Sequence, residues 1–137
     1  NFSVNPGETV ALVGPTGSGK STIINLLTRF YDPDYGTVYI DDVNVKNIDL
    51  ETLRKNITSA MQDVFLFSDT IRNNIAYGTP NATDEDVKRV ARLASAHDFI
   101  EKMDDGYETM VGERGTGLSG GQRQRICIAR ALSVSSV

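Results

Sequence analysis

The run Gly14-Pro15-Thr16-Gly17-Ser18-Gly19-Lys20-Ser21 places three glycines, a lysine and a hydroxyl at the spacing G-x-x-x-x-G-K-[ST]. Each residue type has a chemical reason to be there. Glycines let backbone N–H groups converge on an anion without a Cβ in the way. Lys20 supplies a mobile positive charge for the outer phosphates of a nucleoside triphosphate, and the Ser21 hydroxyl is a ligand for Mg²⁺. The candidate phosphate-binding residues are therefore Gly14, Gly17, Ser18, Gly19, Lys20, Ser21 and Thr22, with Lys20 also a candidate catalytic group. The bland alternative is a glycine-rich turn with an incidental Lys-Ser, which needs neither a strand before it nor a helix after it. A second run, Gly115-Thr116-Gly117-Leu118-Ser119-Gly120, matches the dinucleotide pattern G-x-G-x-x-G. No strand is predicted before it and no ribose-binding acid can be placed after it, so that reading is weak.

The flanking elements supply the context the loop needs. Pro6-Gly7 reads as a turn, and residues 8–13 read as a short buried strand ending at Gly14. Residues 21–30 have helical spacing, with Ile23, Ile24, Leu26, Leu27 and Phe30 on the apolar side. Strands follow at 37–40 and 43–45 around the Asp41-Asp42 turn, then a short helix capped by Asp49, then a strand over 57–61. From about Ser68 the pattern becomes helical. Thr83 caps a helix with Asp84, Glu85 and Asp86 in its first turn, and Val87, Val90, Ala91 and Ala94 repeat along one face. A helical piece near 97–103 and a last helix over 122–132 complete the order.

Composition narrows the class. A chain of 137 residues that is 39% apolar can bury a core. A net charge of −4 argues against a nucleic-acid binder. No apolar run is long enough to span a bilayer, and residues 1–4 read as strand rather than as a leader. One cysteine, Cys127, cannot form an internal disulfide and reads as a small buried hydrophobe. The sequons at Asn1, Asn56 and Asn81 read as chance matches. His97, the single histidine, reads as a surface residue, and Arg123 and Arg125 read as solvated helix positions.

Leu118-Ser119-Gly120-Gly121-Gln122, followed by Arg123-Gln124-Arg125, resembles the signature of ATP-binding cassette (ABC) proteins, and its pairing with an upstream phosphate loop is specific. Met61-Gln62-Asp63 with Leu66-Phe67 and Thr70-Ile71-Arg72 is similar to that family's Q-loop. Arg29-Phe30-Tyr31-Asp32-Pro33 and Val111-Gly112-Glu113-Arg114-Gly115 are similar to the exporter type. The resemblance implies an α/β fold, a P-loop NTPase core (incomplete) with an inserted α-helical subdomain. Residues 1–67 would carry the core with Walker A and Q-loop, 68–117 the helical subdomain, and 118–137 the signature and the helix returning to the core. It also implies ATP and Mg²⁺ as cofactors, and a second nucleotide-binding domain as a head-to-tail partner. Ser119, Gly120, Gly121 and Gln122 would contact that partner's nucleotide in trans. Gln62 would sense Mg²⁺ and the attacking water, and the Q-loop and Glu113 regions would face transmembrane domains at the cytoplasmic side of a membrane.

Other features of the family are not found. The Walker B Asp, catalytic Glu and switch His would follow residue 137, and the adenine-stacking aromatic would precede Asn1, so the sequence reads as partial. Weak ATP binding without turnover is expected of the stretch by itself. Asp42 stands where exporters often have glycine, and Met110 where an acid is common. The resemblance implies a domain coupling ATP hydrolysis to export. The alternatives are a soluble cassette ATPase of DNA repair or chromosome maintenance, and a non-catalytic half of a heterodimeric transporter.

Overall fold

The computed structural model describes residues 1–60 and 64–134. The chain divides into two compact units, Asn1–Arg54 and Lys55–Val137.

The first unit is organised around helix α1, Lys20–Leu27, which stops three residues short of the expected end at Phe30: Thr28 folds its Oγ1 onto the Ile24 carbonyl at 3.0 Å, and Arg29 leaves the helix at φ 50°. Two arginines then brace this helix end, one of them by taking carbonyls that it leaves without partners. Arg54 donates from Nη2 to Arg29 O at 3.2 Å and lies over the Phe30 ring at 5.1 Å. Arg29 Nη1 reaches Lys46 O at 3.3 Å, tying the end of α1 to the turn Val45–Asn47. Strands β1 (Tyr39–Ile40) and β2 (Val43–Asn44) pair antiparallel, with Ile40 opposite Val43. Asp41 and Asp42 between them have φ of 47° and 64°, as a two-residue type I′ hairpin turn demands. Helix α2, Leu50–Asn56, starts where Asp49 accepts the Thr52 N–H at 3.0 Å.

Two expected strands are corrected. Residues 8–13 carry no strand pairing among the described residues, and Val10 and Val13 are 50% and 94% exposed. Residues 57–60 are likewise outside any strand, and Met61 lies outside the described residues. The reason is the same for both. A strand exists only where neighbours accept and donate its main-chain hydrogen bonds, and the described sheets are two separate pairs that include neither segment.

The second unit is helical and holds most of the core. Strand β3 (Asp69–Thr70) pairs with β4 (Met110–Val111), and helices α3 (Ile71–Ala76), α4 (Asp84–Leu93), α5 (His97–Ile100) and α6 (Gly120–Val134) pack beside that pair. Thr70 caps α3 through the Asn73 N–H at 3.0 Å. Thr83 and Asp86 form a reciprocal capping box at the start of α4. The predicted apolar face of α4 is confirmed: Val87, Val90, Ala91 and Ala94 are all buried, alongside Leu66, Ile71, Ile75, Ile100 and Ile126. Each large side chain fully removed from water there contributes about 1.5–3 kcal/mol.

Candidate functional site

The phosphate-loop candidates in the first unit come together around one lysine. Gly17 and Gly19 sit at φ 84° and 88°, left-handed conformations that a side chain strains to adopt. Gly14 is small for a different reason: a Cβ there would lie 2.6 Å from Ser18 Oγ. Ser18 N–H closes a turn onto Pro15 O at 3.2 Å. The Lys20 ammonium folds back over this turn, donating to Gly14 O at 2.7 Å, Pro15 O at 2.8 Å and Ser18 Oγ at 3.3 Å. Helix α1 starts at Lys20 with Gly19 as its N-cap and no side chain capping it. Its first-turn N–H groups are thus available to an external acceptor, on the positive end of the helix. Ser21 and Thr22 are exposed on that turn. A loop without Cβ at positions 14, 17 and 19, an uncapped helix start and a lysine resting on weak carbonyl acceptors suit a phosphate chain.

The signature residues come together in the second unit as the start of α6. Ser119 N–H donates to Gln122 Oε1 at 2.8 Å, and Gln122 N–H donates to Ser119 Oγ at 3.2 Å. This is a capping box, Ser-x-x-Gln, and Arg123 N–H adds the first helical bond to Ser119 O at 3.0 Å. It starts the helix at Gly120, two residues before the start expected at 122. Gly120 and Gly121 are exposed, and a Cβ on Gly121 would meet nothing within 4 Å. Gly115 and Gly117, at φ 82° and 95°, bend the chain into the loop, and Leu118 is buried beneath it. The run that matches G-x-G-x-x-G therefore opens a helix from the turn Glu113–Gly115 and not from a parallel strand.

Several single-residue expectations change. Arg123 is not a solvated position: it is half-buried, donates from Nη1 to Leu118 O at 2.7 Å, and fills the space where a Cβ on Gly115 would sit. Arg125 stacks over the Phe99 ring at 5.2 Å. Long cationic stems fold onto apolar surface, which helical spacing does not reveal. His97 is half-buried, with Nδ1 2.9 Å from Tyr107 Oη. Burial pushes the Tyr107 phenol up to about 12, with the Glu101 charge adding and Arg92 opposing. Cys127 is half-buried against the core, 3.7 Å from Phe65 O, and burial raises its thiol despite nearby Arg130. Glu113 is exposed on its turn, while Gln62 lies outside the described residues.

The family model of the ABC transporter matches residues 1–136, and the chain belongs to this family. It is 54% identical over 135 residues to the uncharacterized ABC transporter ATP-binding protein YknU of Bacillus subtilis, covering 98% of this chain and 23% of that protein. It is also 54% identical over 132 residues to the beta-(1→2)glucan export ATP-binding/permease protein NdvA of Bartonella bacilliformis, covering 96% of this chain and 22% of NdvA. Among solved structures, a bacterial Atm1-family ABC exporter with ATP bound aligns with a TM-score of 0.84 at 47% identity, over 88% of this chain and 21% of that one. The fold is that of the ABC nucleotide-binding domain, a P-loop NTPase. The chain spans less than a quarter of the length of these curated relatives. These relatives give the DNA-repair alternative no support.

Proposed function

We propose that this chain is the ATP-binding part of an ABC exporter, with residues 1–67 as P-loop core, 68–117 as an inserted helical subdomain and 118–137 as the signature segment. The observation that carries the reading is the Lys20 ammonium, held on Gly14 O and Pro15 O above an uncapped helix start. Those carbonyl contacts are ones a triphosphate would replace with stronger, charge-assisted bonds. Gly14, Gly17, Ser18, Gly19, Lys20, Ser21 and Thr22 hold the phosphates. Mg²⁺ would be held beside them by the exposed Ser21 hydroxyl and the nucleotide's own phosphates, with Gln62 as the further ligand that the family resemblance implies. Bound there, the ion would supply positive charge against the charge that develops on the phosphoryl group.

The exposed, sterically open Gly120 and Gly121 support a second role, with Ser119, Gly120, Gly121 and Gln122 approaching nucleotide held by another copy of the domain. By the family resemblance, the Q-loop with Gln62 would sense the Mg²⁺ and the attacking water, and the Q-loop and Glu113 regions would face transmembrane domains at the cytoplasmic side of the membrane. No described helix is long and apolar enough to cross a membrane. The relatives' names support export as the work done: NdvA is an export ATP-binding/permease protein, and the structural neighbour is an exporter with ATP bound. Calorimetric titration of the protein with Mg-ATP, beside Lys20→Ala, tests this reading. Binding that disappears in the variant supports it; wild-type protein that ignores Mg-ATP, or a variant that binds equally well, refutes it.

A further inference from the structure

Helix α6 is anchored near its far end by Arg130. Nη2 donates to Asn74 Oδ1 at 2.7 Å, Nε to Asn74 O at 2.8 Å and Nη1 to Phe65 O at 2.9 Å, and Asn74 is 1% exposed in α3. That end is a buried join. Near the start of the helix the corresponding side chain is Arg123, and its surroundings are different.

The Arg123 stem runs through the space that a side chain on Gly115 would fill. Its guanidinium then turns to Leu118 O, with Nη1 at 2.7 Å. Among the described residues no main-chain N–H reaches that carbonyl, because the Gln122 N–H that could close a helical turn on it bonds to Ser119 Oγ instead. Nη2 makes no hydrogen bond among the described residues and stands beside the bare glycines: a Cβ on Gly120 would lie 3.9 Å from it.

Charge decides what this arrangement does. The start of α6 is a positive helix end, which suits an anion. A carbonyl left open at the same place carries partial negative charge and would oppose one. A guanidinium on that carbonyl makes a charge-assisted bond, removes the opposition and leaves positive charge at the rim. Packing over Gly115 asks for the stem alone, and an unbranched apolar side chain would supply it.

We infer that Arg123 is a positioning residue of the signature: it takes up the Leu118 carbonyl and so presents Ser119, Gly120 and Gly121 as a positively charged face to the phosphates of nucleotide held by another copy of the domain. The inference rests on the proposed nucleotide function and concerns the rate of hydrolysis. Capture of nucleotide by Lys20 and its loop is a property of the other unit.

The test is steady-state hydrolysis of Mg-ATP by the intact transporter carrying Arg123→Met, Arg123→Lys or Thr83→Ala, with the calorimetric Mg-ATP affinity and the urea midpoint of each. Methionine keeps an apolar stem against Gly115 and loses the headgroup, whereas lysine keeps a cation that can donate to Leu118 O. Thr83→Ala removes the cap of α4 in the same unit and reports what destabilisation alone does. The expected result is a fall in kcat of at least fivefold for Arg123→Met, with Mg-ATP affinity within twofold of wild type. Arg123→Lys should retain at least half of kcat, and Thr83→Ala should hydrolyse at the wild-type rate. If Arg123→Met does not fold, Arg123→Gln replaces it and should lose at least threefold, because its amide brings no charge to the rim. Wild-type kcat in Arg123→Met overturns the role of Arg123 and leaves the function reading standing. So does a lysine variant no better than methionine, or a loss that follows the urea midpoint across all the variants, which would mark stability alone. If the unmutated transporter itself neither binds nor hydrolyses Mg-ATP, the function reading fails first and takes this inference with it.

Discussion

Gln122 and Ser119 hold each other across the start of α6, each backbone N–H bonded to the other's side chain at 2.8 and 3.2 Å. Half of the signature is therefore structural: the serine and glutamine fix the helix start, and the two glycines between them stay bare.

That division separates stability from activity. Gln122→Ala should destabilise the fold by about 1 kcal/mol, the usual worth of a cap. Gln122→Glu should leave the urea midpoint unchanged, because Ser-x-x-Glu is an equally good capping box. Its ATPase rate should nonetheless fall at least tenfold, since a carboxylate there repels an approaching phosphate. A Glu variant as active as wild type would show that no anion comes near this helix start.

The glycines of this loop should divide in the same way. Gly115→Ala meets both a φ of 82° and the Arg123 stem, and should cost about 1–3 kcal/mol in denaturant unfolding. Gly121→Ala meets no neighbour and sits inside the first turn of a helix. Its stability should be equal or slightly higher, while hydrolysis drops. Equal destabilisation by the two would contradict the open face assigned to Gly121.

Lys20→Ala should weaken Mg-ATP binding by about ten- to hundredfold, the equivalent of one charge-assisted bond of about 1.5–3 kcal/mol. Lys20 bonds only to its own loop in the described structure, so the unfolding midpoint should stay put. Calorimetry and a urea titration on the same preparation check both halves.

Tyr107 provides a pH signature. Below pH about 10 the phenol is neutral whether the chain is folded or not. The unfolded phenol ionises near 10, and the folded one at about 12 because of burial. The folded pKa is raised, so stability is full below the unfolded value and declines as pH rises through this window. Unfolding free energies measured from pH 9 to 12 should fall less steeply in Tyr107→Phe. Identical slopes would mean that the ring is as solvated in the folded state as in the unfolded one.

Legibility in the sequence followed the range of the interactions involved. The phosphate loop, the signature, the Thr83 cap and the Val87–Val90–Ala91–Ala94 face are local patterns, and the structure places each as a local element. Residues 8–13 looked like a strand because their composition is strand-like, but pairing is decided by partners far along the chain. Arg123 and Arg125 were read by helical position, although their stems fold onto Leu118, Gly115 and Phe99. Asn74 left only a faint mark, one amide among apolar neighbours in α3. Its partner Arg130 is 56 positions away, and no spacing rule links them.

That separation also governs how the chain comes off the ribosome. Asn74's amide and the Phe65 carbonyl wait for Arg130, and α3 and α4 both wait for α6 as their packing partner. At about 5–20 residues per second, 56 residues take roughly 3–11 s to synthesise. From the synthesis of Val90 until α6 is made, the nascent chain carries Ile71, Ile75, Val87 and Val90 without that packing partner. A chaperone that recognises short apolar helices would find its substrate there, and substitutions that slow elongation between codons 74 and 130 would lengthen the exposure without altering a single residue of the finished protein.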